Sequence, residues 1–176
     1  MATTKWVIDP THSEIGFKVK HMMFTNVSGK FDTFQASVET EADDFSQATF
    51  SFSADAGSVT TGNADRDNHL KSADFFDVEQ FPTLDFKSTS VQKTTDNEFL
   101  LTGDLTLHGV SKPVTLEVEY GGTMQDPWGN TKAGFSLSGK INRKDWGLTW
   151  NAALEAGGVL VSEEVRLHID VQLVKQ

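Results

Sequence analysis

The chain has 176 residues, an apolar fraction of 38% without glycine, and a formal charge of 15 − 25 = −10. That length suits a single domain over residues 1–176, with a true core or a barrel around a cavity. The acidity argues against nucleic acid and against anionic membrane surfaces as partners, and the lack of cysteine excludes disulfides, thiol catalysis and cysteine-ligated metal.

The opening "MATTKWVIDP" is already patterned as structure and shows no basic start followed by an apolar run. As written, the sequence implies a cytoplasmic protein, or a periplasmic or secreted one if a leader has been removed. No stretch approaches the ~18 apolar residues of a membrane-spanning helix. Period-two alternation begins at "EIGFKVKH", where Ile15, Phe17, Val19 and His21 share one face. "FQASVE" continues with Phe34, Ala36 and Val38, and "ATFSFSA" with Ala48, Phe50, Phe52 and Ala54.

"NADRDNHLKSADFFD" is the one good helical candidate, near residues 63–76, with Asn63 as its cap and Asp65 and Asp67 early in the first turn. Strand character returns at "LDFKS" with Leu84 and Phe86. Two long amphipathic strands follow. The first aligns Phe99, Leu101, Gly103, Leu105 and Leu107, and the second Val114, Leu116, Val118 and Tyr120. "AGFSLSGKI" supplies Ala133, Phe135, Leu137, Gly139 and Ile141, and "VRLHIDVQL" supplies Val165, Leu167, Ile169, Val171 and Leu173. Gly121-Gly122 and Gly157-Gly158 mark turns or loops.

About eight long alternating strands with little helix read as an all-β fold, an antiparallel barrel closing its own edges. Eight strands enclose a space that side chains just fill or that holds one ligand. The 13 Phe against 4 Trp and 1 Tyr suit an interior wanting apolar bulk without polar atoms to satisfy. Gly103, in the middle of an inward row, marks a bend or bulge, or a place where the interior is left empty for a ligand.

Catalytic signals are thin. The histidines His12, His21, His69, His108 and His168 lack HxH or HExxH spacing, so no metal and no catalytic residue is expected. His108 and His168 fall on wet faces, while His21 continues an inward row toward the barrel mouth. "DPTHS" brings Asp9, His12 and Ser13 together in sequence, yet Asp-Pro and Ser are ordinary turn formers. Arg66 and Arg143 could each meet a polar head group at a pocket entrance, although each also has acidic neighbours in sequence with which to pair, Asp65 and Asp67 for Arg66 and Asp145 for Arg143.

Seven segments occur in order: "WVIDPTHSEIGFKVKH", "GKFDTF", "RDNHLKSADFFD", "FPTLDFKS", "LTGDLTLHGVSKPVTLEV", "INRKDWG" and "EEVRLHIDVQL". Together they resemble the YceI-like family of bacterial polyisoprenoid-binding proteins, from Trp6 to about Leu173. The resemblance implies an extended lipocalin-like barrel whose elongated apolar pocket holds a polyprenyl quinone, a polyprenyl phosphate or a fatty amide. No cofactor is required beyond that bound long-chain lipid, and a homodimer stays open as an assembly. The helical segment would reach the pocket through Leu70, Phe75 and Phe76. The wall would come from Phe17, Val19, His21, Phe34, Phe50, Phe52, Phe86, Leu101, Gly103, Leu105, Leu116, Phe135, Leu137, Leu167 and Ile169. Trp146 stands where the family often has Phe, a change expected to narrow the pocket or alter what it accepts.

The leading expectation is a non-enzymatic carrier or store for a long-chain isoprenoid or similar amphiphile. One alternative is a hydrolase or isomerase acting on a bound lipid, which needs convergent ionisable groups inside the barrel. The other is a ligand-free barrel acting through its surface. A tunnel separates the carrier from the filled core.

Overall fold

The computed structural model describes residues 3–152 and 160–176. Gly157-Gly158, read as a turn, lies outside them. Among the described residues eleven strands form one continuous sheet. They are β1 (Thr3–Ile8), β2 (Glu14–His21), β3 (Thr25–Phe31), β4 (Phe34–Glu41), β5 (Asp44–Asp55), β6 (Val59–Thr60), β7 (Thr83–Lys93), β8 (Glu98–Leu107), β9 (Val110–Gln125), β10 (Thr131–Asn142) and β11 (Val161–Lys175). Neighbours run β1-β4-β5-β7-β8-β9-β10-β11, and β11 pairs back onto β1, so eight antiparallel strands close a lipocalin-like barrel. Strands β2, β3 and β6 extend the wall beyond β11.

The three extra strands continue others. The chain kinks between β1 and β2 at Pro10–His12, where the Asp9 carboxylate accepts from the Thr11 N–H at 3.1 Å. Both halves of that stave lie along β11, Ile8 opposite Leu173 and Ile15 opposite Ile169. β3 passes into β4 through Asp32 and Thr33, whose N–H groups donate to Ser58 O at 3.1 Å and to Ser58 Oγ at 3.0 Å. β5 passes into β6 through a 3-10 turn at Ala56–Ser58. Three adjacent staves therefore break side by side, and the wall bends there.

β6 does not pair with β7, and the chain from 61 to 82 spans that gap. Helix α1 (Ala64–Lys71) packs beside β6. Asn63 caps it as expected, its side chain accepting from the Arg66 N–H at 3.0 Å. The helix is shorter than the expected 63–76, because Ser72 takes an extended conformation and its Oγ donates back to His69 O at 2.6 Å. Phe75 and Phe76 sit in the following turns, with the Phe76 N–H donating to Leu70 O at 2.9 Å.

The two ends of the barrel are built differently. At one end Trp6, Phe45, Tyr120 and Phe135 form an aromatic plug, with Phe45 5.1 Å from the Trp6 ring and 4.9 Å from the Phe135 ring. Trp6 is 1% exposed, and its Nε1 donates to Thr40 Oγ1 at 3.4 Å. At the other end lie α1, the β2–β3 and β8–β9 hairpins and a 3-10 turn at Arg143–Trp146.

Candidate ligand-binding site

The inward rows enclose a cavity of about 540 Å³, within the usual range for small-molecule sites. Its wall is almost entirely apolar. Val38, Val118, Phe135 and Leu173 line the part next to the aromatic plug, and all four are buried. Leu101, Leu116, Phe86, Phe52 and Leu167 line the middle. Many wall residues, including Phe17, Val19, Phe50, Leu105, Leu137, Ile169 and Val171, are only half-buried although they point inward. Their accessible surface faces the lumen.

Polar side chains gather at the α1 end, where Lys20, His21, Thr61, Asp65, Arg66, His69 and Arg143 border the cavity. Lys20, Asp65 and Arg66 are exposed there, so this end communicates with water. Arg66 does not pair with Asp65 or Asp67. Its Nε donates to Thr61 Oγ1 at 2.7 Å and its NH2 to Thr61 O at 2.8 Å, which fixes the guanidinium at the rim. His69 Nε2 lies 2.9 Å from Asp74 Oδ2, and its ring meets Trp150 edge-on at 4.7 Å and Phe75 at 5.1 Å.

Arg143 does not pair with Asp145 either. It is 3% exposed and donates to three backbone carbonyls, Leu148 O at 2.6 Å, Ser162 O at 2.9 Å and Val161 O at 3.4 Å. Burial pushes its pKa below the ordinary arginine value, and the charge of Glu163 opposes that shift. The guanidinium also sits 6.0 Å over the Phe75 ring. Arg143 thus ties the start of β11 to the segment after the 3-10 turn and closes one side of the polar rim.

Three residues expected on the wall are elsewhere. Phe34 stacks on Phe52 at 6.5 Å and does not border the cavity. Trp146, expected to narrow the pocket, is buried outside the wall, where its Nε1 donates to Leu105 O at 2.9 Å. Gly103 is not an open stretch of lumen. A Cβ there would fall 2.5 Å from Phe86 Cζ and closer still to Lys87 O. The β7–β8 register slips by one residue opposite it, between Ser88 and Ser90. The glycine is needed for a bulge and for the Phe86 ring that lies across it. Gly29 lies beneath the Phe17 ring in the same way, and Gly139 beneath Leu116, whose Cδ2 would be 2.6 Å from an added Cβ. Three wall side chains thus approach glycines of neighbouring strands too closely to admit a Cβ.

The histidines separate. His168 is exposed, but His108 is not a strand-surface residue. It occupies the β8–β9 turn at φ 55°, half-buried, with Nδ1 3.1 Å from Trp146 O. In "DPTHS" the Asp9–His12 pair forms at 2.8 Å, and Asp9 also accepts from Lys132 Nζ at 2.9 Å. These two partners, His12 foremost, hold the Asp9 carboxyl down to about 2. Ser13 Oγ instead accepts from the Gln172 N–H at 3.0 Å. This group serves the kink between β1 and β2. Among the described residues no three His, Cys, Asp or Glu side chains come together as metal ligands, and no helix is long and apolar enough to cross a membrane.

Sequence reasoning missed Trp150 and His69 on the cavity rim, as well as Phe31 and Val27 on its wall. None of the four lies in a clean alternating row.

The model of the YceI-like domain matches residues 6–173. The chain belongs to the YceI-like family. UPF0312 protein SA2479 of Staphylococcus aureus is 36% identical over 170 residues, covering 96% of each chain. The YCEI protein of Campylobacter jejuni is 32% identical with a TM-score of 0.78, over 89% of this chain and 90% of that one. BcnA of Burkholderia cenocepacia shares the fold at 21% identity and a TM-score of 0.79, over 94% and 98%. So does a polyisoprenoid binding domain from Saccharophagus degradans, at 14% identity and a TM-score of 0.69, over 97% and 98%. The fold is the lipocalin-like barrel of this family, and its hydrophobic interior suits an elongated apolar ligand.

Proposed function

We propose that this protein carries or stores a long-chain isoprenoid or a similar amphiphile, with its chain toward the aromatic plug and its polar head at the α1 rim. The observation that carries the reading is the polarity gradient of the 540 Å³ cavity, mainly apolar along its length with ionisable side chains only at the end that meets water. Each buried methylene contributes ~0.8 kcal/mol before ordering and association costs, so the chain supplies most of the affinity. Arg66, fixed by Thr61, and His69 offer N–H donors to a carbonyl or phosphate head.

The cavity favours a carrier over a filled barrel acting through its surface. An enzyme on the bound lipid would need convergent reactive groups deep in the barrel, and the deep wall is apolar. Native mass spectrometry of protein purified from its own host tests the reading. The expected result is a co-purifying long-chain lipid bound one to one. Protein that emerges empty and binds no prenyl or acyl chain on titration would overturn it.

A further inference from the structure

The β2–β3 hairpin turns through Met22 and Met23, at φ 52° and 64°, and closes with the Phe24 N–H donating to His21 O at 3.3 Å. Two-residue turns of this hand favour Asn-Gly, because in the left-handed region a Cβ crowds the following carbonyl oxygen, a cost that Gly escapes and Asn offsets by local hydrogen bonding. Here two methionines occupy it. The turn also leaves apolar side chains in water, with Met22 41%, Met23 59% and Phe24 85% exposed. Exposed apolar area runs over three consecutive residues, and the first two of them are also strained.

The place is specific. The Met22 N–H donates to Leu160 O at 2.8 Å, and His21 pairs with Val161. Lys20, His21, Leu160 and Val161 all border the cavity, so the tip adjoins the open rim. Its charge is also unlike that of the whole. Residues 15–31 hold Lys18, Lys20 and Lys30 and no acid, in a chain of net charge −10. Lys30 lies 4.0 Å from Asp32, whereas Lys18 and Lys20 meet no carboxylate among the described residues. The acids of neighbouring β11 have other partners, Glu163 with Lys144 at 2.8 Å and Glu164 with Arg166 at 3.5 Å. The net charge that argues against anionic membranes is therefore not the charge of this hairpin, although Asp65 of α1 also stands at the rim.

We propose that the Met22–Phe24 tip docks on an anionic lipid bilayer. Its apolar side chains enter the headgroup boundary, Lys18 and Lys20 lie against the lipid phosphates, and the open rim faces the membrane from which cargo is taken or to which it is returned. This rests on the lipid-carrier reading for its purpose, but not for its test. The barrel carries an internal control. Met124, 75% exposed, and Trp128, 83% exposed, form a second apolar tip at the plugged end, beside Asp126 and away from the rim.

The test is co-sedimentation with vesicles of phosphatidylcholine alone or with added phosphatidylglycerol. The native protein is expected to bind the anionic vesicles and to be released by salt. The double variant Met22→Asn/Met23→Gly suits the turn better, so it should melt no lower than the native protein while partitioning roughly tenfold more weakly. Phe24→Ser should act likewise, and Trp128→Ser should not. In cargo titrations without vesicles the tip variants should match the native protein, because the tip lies off the cavity wall. Native protein that ignores anionic vesicles, tip variants that bind them as well as the native chain, or a tip-dependent dimer without vesicle binding would each overturn the proposal. Vesicle binding by a protein that takes up no prenyl or acyl chain would instead sink the carrier reading and leave the docking site standing.

Discussion

The two ends of the barrel use aromatic side chains to opposite effect. At the plugged end Trp6, Phe45, Tyr120 and Phe135 pack on one another, and the one polar atom of Trp6 finds Thr40 inside the same core. At the rim Phe75 and Trp150 pack against ionisable groups, His69 edge-on and Arg143 across a ring face. The first arrangement excludes water and ends the cavity. The second leaves one side of each ring toward the lumen and the other toward polar side chains. On the carrier reading proposed above, this difference between the ends is what would orient an amphiphile.

The comparison can be broken most forcefully at the plug. Trp6→Ala removes a ring that is 1% exposed, and a cost of ~3–5 kcal/mol is expected in denaturant unfolding. Trp150→Ala, on the half-buried rim, should cost less stability and weaken lipid binding more. Equal effects of the two variants on stability and binding would erase the distinction between the ends. Next in size is Arg143→Met. It strips three carbonyls of their donor at the rim and should cost about 2–4 kcal/mol, the penalty of unsatisfied buried acceptors. A variant as stable as the native chain would show that the guanidinium does not hold the rim.

Gly103→Ala sharpens the account of the middle. The added Cβ has to displace the Phe86 ring or the bulge, at ~1–3 kcal/mol, and a displaced ring enters the lumen. Lower melting with weaker binding of long chains is expected, and a neutral substitution would contradict the close approach. The smallest effect is electrostatic. The Asp9 carboxyl lies at about 2 when folded, against an ordinary 3.8. Its contribution is complete above about pH 4 and is lost as pH falls toward 2. Asp9→Asn should flatten that part of the stability–pH curve, and an unchanged acid limb would remove Asp9 from the account of the kink.

Much of this was legible because the side-chain period of a strand is two. The rows through Leu101, Leu116, Phe135 and Leu167 point into the barrel as their alternation requires. β1 and β3 were not legible, since TTKWVI is short and TNVSGKF places only Val27 and Phe31 among polar residues. Trp150 and His69 reach the rim from segments without a strand period, where tertiary packing alone decides direction. At Gly103 the alternation leaves a bend or bulge and an empty stretch of lumen both open; the register slip bears out the bulge, and the occupant, Phe86, comes from the neighbouring strand, which a row read along one strand does not show.

The central claim is that affinity comes from chain burial along a tunnel of fixed length. Titration of the delipidated protein with prenyl chains of increasing length tests it most directly. The account predicts that each added methylene tightens binding by up to ~0.8 kcal/mol, roughly fourfold, until the chain reaches the Trp6–Phe45 plug, after which affinity stops rising. Affinity independent of chain length, or rising without limit past the plug, would contradict it.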